Sequence, residues 1–152
     1  MIAVVQRVKQ ASINIDNSEI ARIQHGIVIL LGVMDTDEVS DVQFLSNKIT
    51  GFRIFNDTEG KMNQSIIDVG GSALVVSQFT LCGDWRKGRR PSFIHAAPPI
   101  VGEKLYLDFI QHLRVEGIPV RTGVFGAMMD VQLINDGPVT FIVQDKKSSN
   151  LS

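Results

Sequence analysis

The chain has 152 residues, 44% of them hydrophobic and 20% charged, with a formal net charge of −1; this is the size of one domain with its own core, and the wrong balance for a protein that coats nucleic acid by bulk attraction. Its single cysteine, Cys82, excludes an intramolecular disulfide and a Cys-rich metal site. The longest apolar run, Ile27 to Met34, falls far short of the roughly 20 residues of a membrane helix, and Met1-Ile2-Ala3-Val4-Val5 runs straight into Arg7 and Lys9 without a secretory pattern, so a cytoplasmic protein is expected.

Ile2 to Ile15 is rich in β-branched residues and alternates at Ser12-Ile13-Asn14-Ile15, which predicts one or two strands turning at Asp16-Asn17-Ser18 into a short strand at Glu19 to Ile23. Gly26 opens a buried strand, Ile27 to Leu31, that ends at Gly32. The first helix is expected to start at Asp35 or Thr36, with Asp37 and Glu38 in its first turn, Val39, Val42, Leu45, Ile49 and Phe52 on one buried face, and Gly51 near its end. Arg53-Ile54-Phe55 begins another strand that breaks at the turn-rich Asn56 to Lys61, with Ser65 to Ile67 as its expected partner.

Gly70-Gly71 reverses the chain into Ala73-Leu74-Val75-Val76, a run that reads as a strand covered on both faces and carrying on into Ser77-Gln78-Phe79-Thr80-Leu81. An apolar strand ending in three polar side chains within four residues is a common place for a site. The alternative is that Ser77 and Thr80 only satisfy nearby backbone groups, as hydroxyls at strand ends do. The loop that follows, Cys82 to Arg90, holds Arg86, Lys87, Arg89 and Arg90 in five residues. Such a run either meets phosphates or is a solvated surface.

Pro98-Pro99 precedes a second helix, Ile100 to Val115, with Val101, Leu105, Phe109 and Leu113 on one face and Gly117 after it. Pro119 to Thr122 is a short strand, Gly123 to Ala127 a flexible approach, and Met129 to Leu133 a half-buried strand. Asn135-Asp136-Gly137-Pro138 reads as a hairpin turn into a last strand, Val139 to Val143. A Gly-Pro pair there would be rigid and would present carbonyls with no side chain in front of them. The expected fold is α+β: one domain, residues 1–145, of largely antiparallel sheet, barrel- or sandwich-like, with two helices packed on it and a polar tail at 146–152. No glycine-rich phosphate loop, HExxH, CxxC or GxSxG pattern occurs, which removes the usual nucleotide, zinc and serine-hydrolase readings; no cofactor or metal is expected.

Taken together, Ser77-Gln78-Phe79-Thr80-Leu81, Gly88, Arg90-Pro91-Ser92-Phe93, Phe125-Gly126-Ala127, Met129 and Asn135-Asp136-Gly137-Pro138-Val139-Thr140 resemble the D-aminoacyl-tRNA deacylase family of the bacterial and eukaryotic type. Gln6-Arg7-Val8, Leu31-Gly32-Val33, Gly51-Phe52-Arg53-Ile54-Phe55 and Gly60-Lys61-Met62-Asn63 resemble it as well, so the likeness runs from Met1 to about Val143. The resemblance implies hydrolysis of the ester joining a D-amino acid, or glycine, to the terminal ribose of tRNA, with the aminoacyl-tRNA acceptor end as partner.

It also implies site roles. Ser77, Gln78, Phe79 and Thr80 form the catalytic stretch, where backbone N–H groups near Phe79 and Thr80 would stabilise a tetrahedral oxyanion. Gly137-Pro138 would be a cis pair inserted from the other subunit of a homodimer, its carbonyls facing the substrate's α-amino group and leaving no room for an L side chain. Phe125 and Met129 would line the terminal adenosine. Thr80 lacks an adjacent base, because His25, His95 and His112 are scattered, so the family's use of the tRNA 2′-hydroxyl to assist water is favoured over a threonine nucleophile. Two other readings stay open: a small-molecule esterase using Thr80, and an RNA-binding module using the basic loop.

Overall fold

β1, Ile2–Ile15, is the spine of the molecule. In the computed structural model, which describes residues 1–145, this 14-residue strand is antiparallel to three others. β2 (Ser18–Ile23) pairs with its C-terminal half and β3 (Gly26–Gly32) with its N-terminal half on one edge, while β8 (Asp130–Gln144) runs along the whole of the other. Asp16 and Asn17 turn β1 into β2 with φ of 49° and 62°, the left-handed pair that a two-residue hairpin requires and that Asx residues tolerate.

On the far side of β3, β6 (Ser72–Ser77) and then β7 (Val120–Thr122) add in parallel, giving the order β2-β1-β3-β6-β7. A separate antiparallel pair is formed by β4 (Phe55–Asn56) and β5 (Met62–Gln64). Period-two alternation divides the strands between two cores. Ala3, Val5, Ile27, Ile29, Leu31, Ala73 and Val75 face α1 (Val39–Thr50) and α2 (Pro99–Val115), meeting Val42, Leu45, Ile49, Leu105, Phe109 and Leu113. The opposite set, Val8, Ala11, Ile13, Val28, Leu74 and Val76, closes with Ala21 and Ile23 of β2 into the interior of a nearly closed barrel. The α+β, mostly antiparallel architecture with two helices on the sheet is therefore as the sequence predicts.

Several local expectations are corrected. α1 starts later than Asp35 or Thr36: its cap is Glu38, which exchanges side-chain-to-backbone hydrogen bonds with Asp41. Asp37 is withdrawn from the first turn because its carboxylate is buried, accepting from the Met1 ammonium and the Met34 N–H at 2.6 Å each. Val39 and Val101 sit on exposed helix faces, and α2 begins at Pro99, where a missing N–H costs nothing. The partner of Phe55–Asn56 is Met62–Gln64, since Ser65 and Asp68 instead bond each other's backbone in a turn.

The expected hairpin at Asn135 to Pro138 is absent. β1 is long enough to pair with the segments on both sides of it, so the chain continues as one strand and the extra residues bulge outward. Three residues of β1, Gln6 to Val8, span six of β8, Thr140 to Asn135. The polar tail expected at 146–152 lies outside the described residues.

Candidate active site

β6 ends at Ser77 rather than continuing to Leu81, and Phe79–Cys82 winds into a single 3₁₀ turn. The break is fixed by backbone bonds: Gln78 N–H donates to Leu31 O at 2.8 Å, Leu81 N–H to Gln78 O at 3.2 Å, and Gly83 N–H to Thr80 O at 3.1 Å. A helical turn's first N–H groups have no acceptor inside it, so Phe79 and Thr80 open the turn with amides available for a ligand. Gln78 Nε2 donates to Thr80 Oγ1 at 2.5 Å, and the Phe79 ring, 56% exposed, meets Phe93 edge-on at 5.0 Å.

The turn sits where three parallel strands end. β3 runs out past Gly32 into Val33–Asp35, which bonds the returning chain: Ala97 N–H to Val33 O at 3.0 Å and Asp35 N–H to His95 O at 2.9 Å. β7 runs out at Gly123, whose N–H donates to Val75 O. The chain then passes Phe125, which packs on Tyr106, and turns back with Gly126 at φ 76°. Open sheets bind ligands at such carboxyl ends. Phe125 therefore lies at the same end as Ser77 to Thr80, and Met129, partly buried against the barrel core, brings its sulfur against Gly123 at that end.

Two candidate nucleophiles lose standing here. Cys82 is 4% exposed, donates to Val33 O at 3.3 Å, and has its thiol pushed up to about 11 by burial, so it is protonated near neutrality. The hydrogen bond on Thr80 Oγ1 among the described residues comes from Gln78; His25 is edge-on to Phe55, His112 lies in the last turn of α2, and His95 lines a pocket with Leu81 and Cys82.

Gly137-Pro138, a cis peptide, sits on the β8 bulge and is held from beneath. Arg7, buried in β1, donates through Nε to Asp136 O at 3.1 Å and through Nη1 to Ile54 O at 2.7 Å and Asn56 Oδ1 at 3.2 Å, with the Asp136 carboxylate also 3.1 Å from Nε. Asn135 Nδ2 completes the clamp, donating to Arg7 O at 2.8 Å and Val139 O at 3.1 Å. In the sequence Arg7 is marked only as a charged residue within the β-branched run Ile2 to Ile15, between Val5 and Val8.

Within one chain the two segments are far apart. Ser77 is level with Leu31 and so with Ala3, whereas the bulge lies between Gln6 and Val8. That is roughly 13 Å along the strands.

Other charged groups lie elsewhere. Asp37, Asp41 and Asp145 gather buried carboxylates within 4.8 Å of one another, and the Met1 ammonium already sits 2.6 Å from both Asp37 and Asp145. In the basic loop, Arg86 is spent on Asp84, whereas Lys87, Arg89 and Arg90 are exposed. No helix of the described residues is long and apolar enough to cross a membrane.

Residues 4–144 match the family model described as D-Tyr-tRNA(Tyr) deacylase. The chain is 55% identical to a D-aminoacyl-tRNA deacylase of Desulfatibacillum aliphaticivorans over 96% of its own length and all of the relative's, and 56% identical to one of Chloroflexus aurantiacus over 94% and 89%. Among solved structures it resembles a c-Myc DNA unwinding element binding protein (TM-score 0.91, 38% identity, covering 95% of this chain and 99% of that one). It shares its fold with a probable eukaryotic D-amino acid tRNA deacylase (TM-score 0.79, 20% identity, covering 95% and 98%).

Proposed function

The chain belongs to the D-Tyr-tRNA(Tyr) deacylase family of ester hydrolases, and from that premise we propose that it hydrolyses the ester of D-aminoacyl-tRNA, releasing free amino acid and tRNA. The observation that carries the mechanism is the 3₁₀ turn whose Phe79 and Thr80 amides open at the end of β6. Water attacks the ester carbonyl, negative charge collects on its oxygen, and those amides receive it. Because Gln78 N–H is already bonded to Leu31 O, the turn is set before substrate arrives. One such donor contributes about 2.7–4 kcal/mol to a transition state.

Ser77 and Thr80 then act as positioning groups, with the substrate's own 2′-hydroxyl assisting the water, and Phe125 and Met129 serve the terminal adenosine. Thr80→Ala is expected to retain substantial deacylation; a loss approaching 10⁴-fold, the size of losing a catalytic nucleophile, would make Thr80 the attacking group instead.

The site is completed in a homodimer, with Gly137 and Pro138 of a second copy closing over the turn. Two features support this. In one chain the bulge lies roughly 13 Å along the strands from the level of Ser77, and the outer edge of β8, 15 residues long, pairs with no strand among the described residues while carrying Ile142 68% exposed. Gly137 and Pro138 carbonyls accept from the substrate's α-ammonium, and the backbone in front of the α-carbon shuts out an L side chain. Glycine has no side chain to exclude, so glycyl-tRNA mischarged on tRNA-Ala is a second substrate. The protein works in the cytoplasm, where aminoacyl-tRNA is made. Release of labelled amino acid from purified D-aminoacyl-tRNA tests the reading. Salt-dependent tRNA binding with no release would favour a nucleic-acid-binding module, a reading raised by the name of the 38% identical structure.

A further inference from the structure

Immediately after the 3₁₀ turn the chain forms a small hairpin that the deacylase chemistry does not use. Asp84 and Ser92 exchange two backbone hydrogen bonds of 2.8 Å, and Gly88, at φ 75°, lies in the loop between them. Asp84 grips Arg86 as a fork, Nε to Oδ1 and Nη2 to Oδ2 at 2.9 Å each, and its Oδ1 also takes the Arg86 N–H at 3.0 Å. These bonds hold the Asp84 carboxyl well below the usual carboxylate range. Arg86 is thus a brace, and the acid's charge is cancelled where the hairpin begins.

What the brace presents is chemically specific. Trp85 is 76% exposed. Lys87, Arg89 and Arg90 are exposed and make no hydrogen bond or ion pair among the described residues. In a chain of net charge −1 this is a local concentration of cations beside a bare aromatic face. Trp85 stands five positions on from Thr80, a reach of at most about 18 Å. Gly83 anchors the hairpin's base to Thr80 O and lies under Phe93, the ring that meets Phe79.

We propose that this hairpin binds the unpaired nucleotides preceding the terminal adenosine of tRNA, Trp85 stacking on a base while Lys87, Arg89 and Arg90 meet the flanking phosphates. Aromatic stacking with a basic track is how single strands are held without reading their sequence. The proposal rests on the deacylase reading, and it accounts for how an enzyme acting at one ester could favour tRNA over a free amino-acid ester.

The test compares a D-aminoacyl-tRNA with the same D-amino acid esterified to adenosine alone. Trp85→Ala is expected to raise KM for the tRNA by about 5- to 100-fold with kcat and the adenosine ester unaffected, and Trp85→Phe to restore it. Replacing Lys87, Arg89 and Arg90 together by alanine is expected to flatten the slope of log KM against log salt by about 2. Equal effects on both substrates, no effect on either, or a shift of Trp85→Ala in sedimentation that marks an interface between copies would overturn the hairpin's role. A wild-type protein that hydrolyses neither ester would overturn the deacylase reading itself.

Discussion

Gly32→Val is expected to lower kcat/KM for D-aminoacyl-tRNA by about 10²-fold, the scale of misplacing a reacting geometry by about 1 Å. Gly32 ends β3 directly beneath the 3₁₀ turn. A Cβ built there would stand 3.0 Å from Leu81 Cβ, 3.1 Å from Cys82 Sγ and 3.1 Å from Gln78 O. The last of these is backbone, and it belongs to the residue whose N–H is tied to Leu31 O. A valine would therefore push the turn outward and carry the Phe79 and Thr80 amides with it. Since amides misplaced by this much stabilise a developing charge poorly but still admit the substrate, the loss falls on kcat and leaves KM nearly unchanged. Gly32→Ala, which needs a shift of only a few tenths of an ångström, should fall between valine and the natural residue. Thermal melts of both variants separate this from unfolding: an activity loss that tracks the fall in Tm, rather than the size of the side chain, would contradict it.

Arg7→Ala is expected to cost about 3 kcal/mol of stability, the size of removing a well-buried charged hydrogen-bond donor, and hence to lower Tm by about 6–12 °C. Ile54 O, Asn56 Oδ1 and Asp136 O lose the donor that ties them together. Its functional effect is separate. Arg7 braces the Asn135–Val139 bulge, so its loss frees the Gly137 and Pro138 carbonyls to move, and discrimination between D- and L-aminoacyl-tRNA should narrow. Arg7→Lys keeps the charge but not the planar fork that reaches several acceptors at once. It should recover part of the stability while leaving discrimination impaired. Discrimination that recovers in step with Tm would reduce Arg7 to an ordinary structural residue.

The strands and both helices were legible because their cores follow simple periods: Val42, Leu45 and Ile49 at helical spacing, and Ala73 to Val76 as a run buried on both faces. Legibility failed where a distant residue outcompeted a local signal. Asp37 reads as a first-turn acid until the Met1 ammonium and the Met34 N–H claim it. Asp136-Gly137 reads as a reversal until a β1 that pairs on both sides of it turns the same residues into a bulge. The form of the Ser77 to Leu81 stretch was not legible, because the winding of Phe79–Cys82 depends on Gln78 reaching Leu31 O in another strand. Hydroxyls drew attention in the sequence; in the fold the backbone of that turn carries the proposed chemistry.

The most direct measurement is the rate at which labelled amino acid leaves matched D- and L-tyrosyl-tRNA in the presence of the purified protein. Fast release from the D ester and background release from the L ester is the predicted result. Equal release from both, or release from D-tyrosine methyl ester as fast as from D-tyrosyl-tRNA, would contradict a site built from the Phe79 and Thr80 amides on one side and Gly137-Pro138 of a second copy on the other.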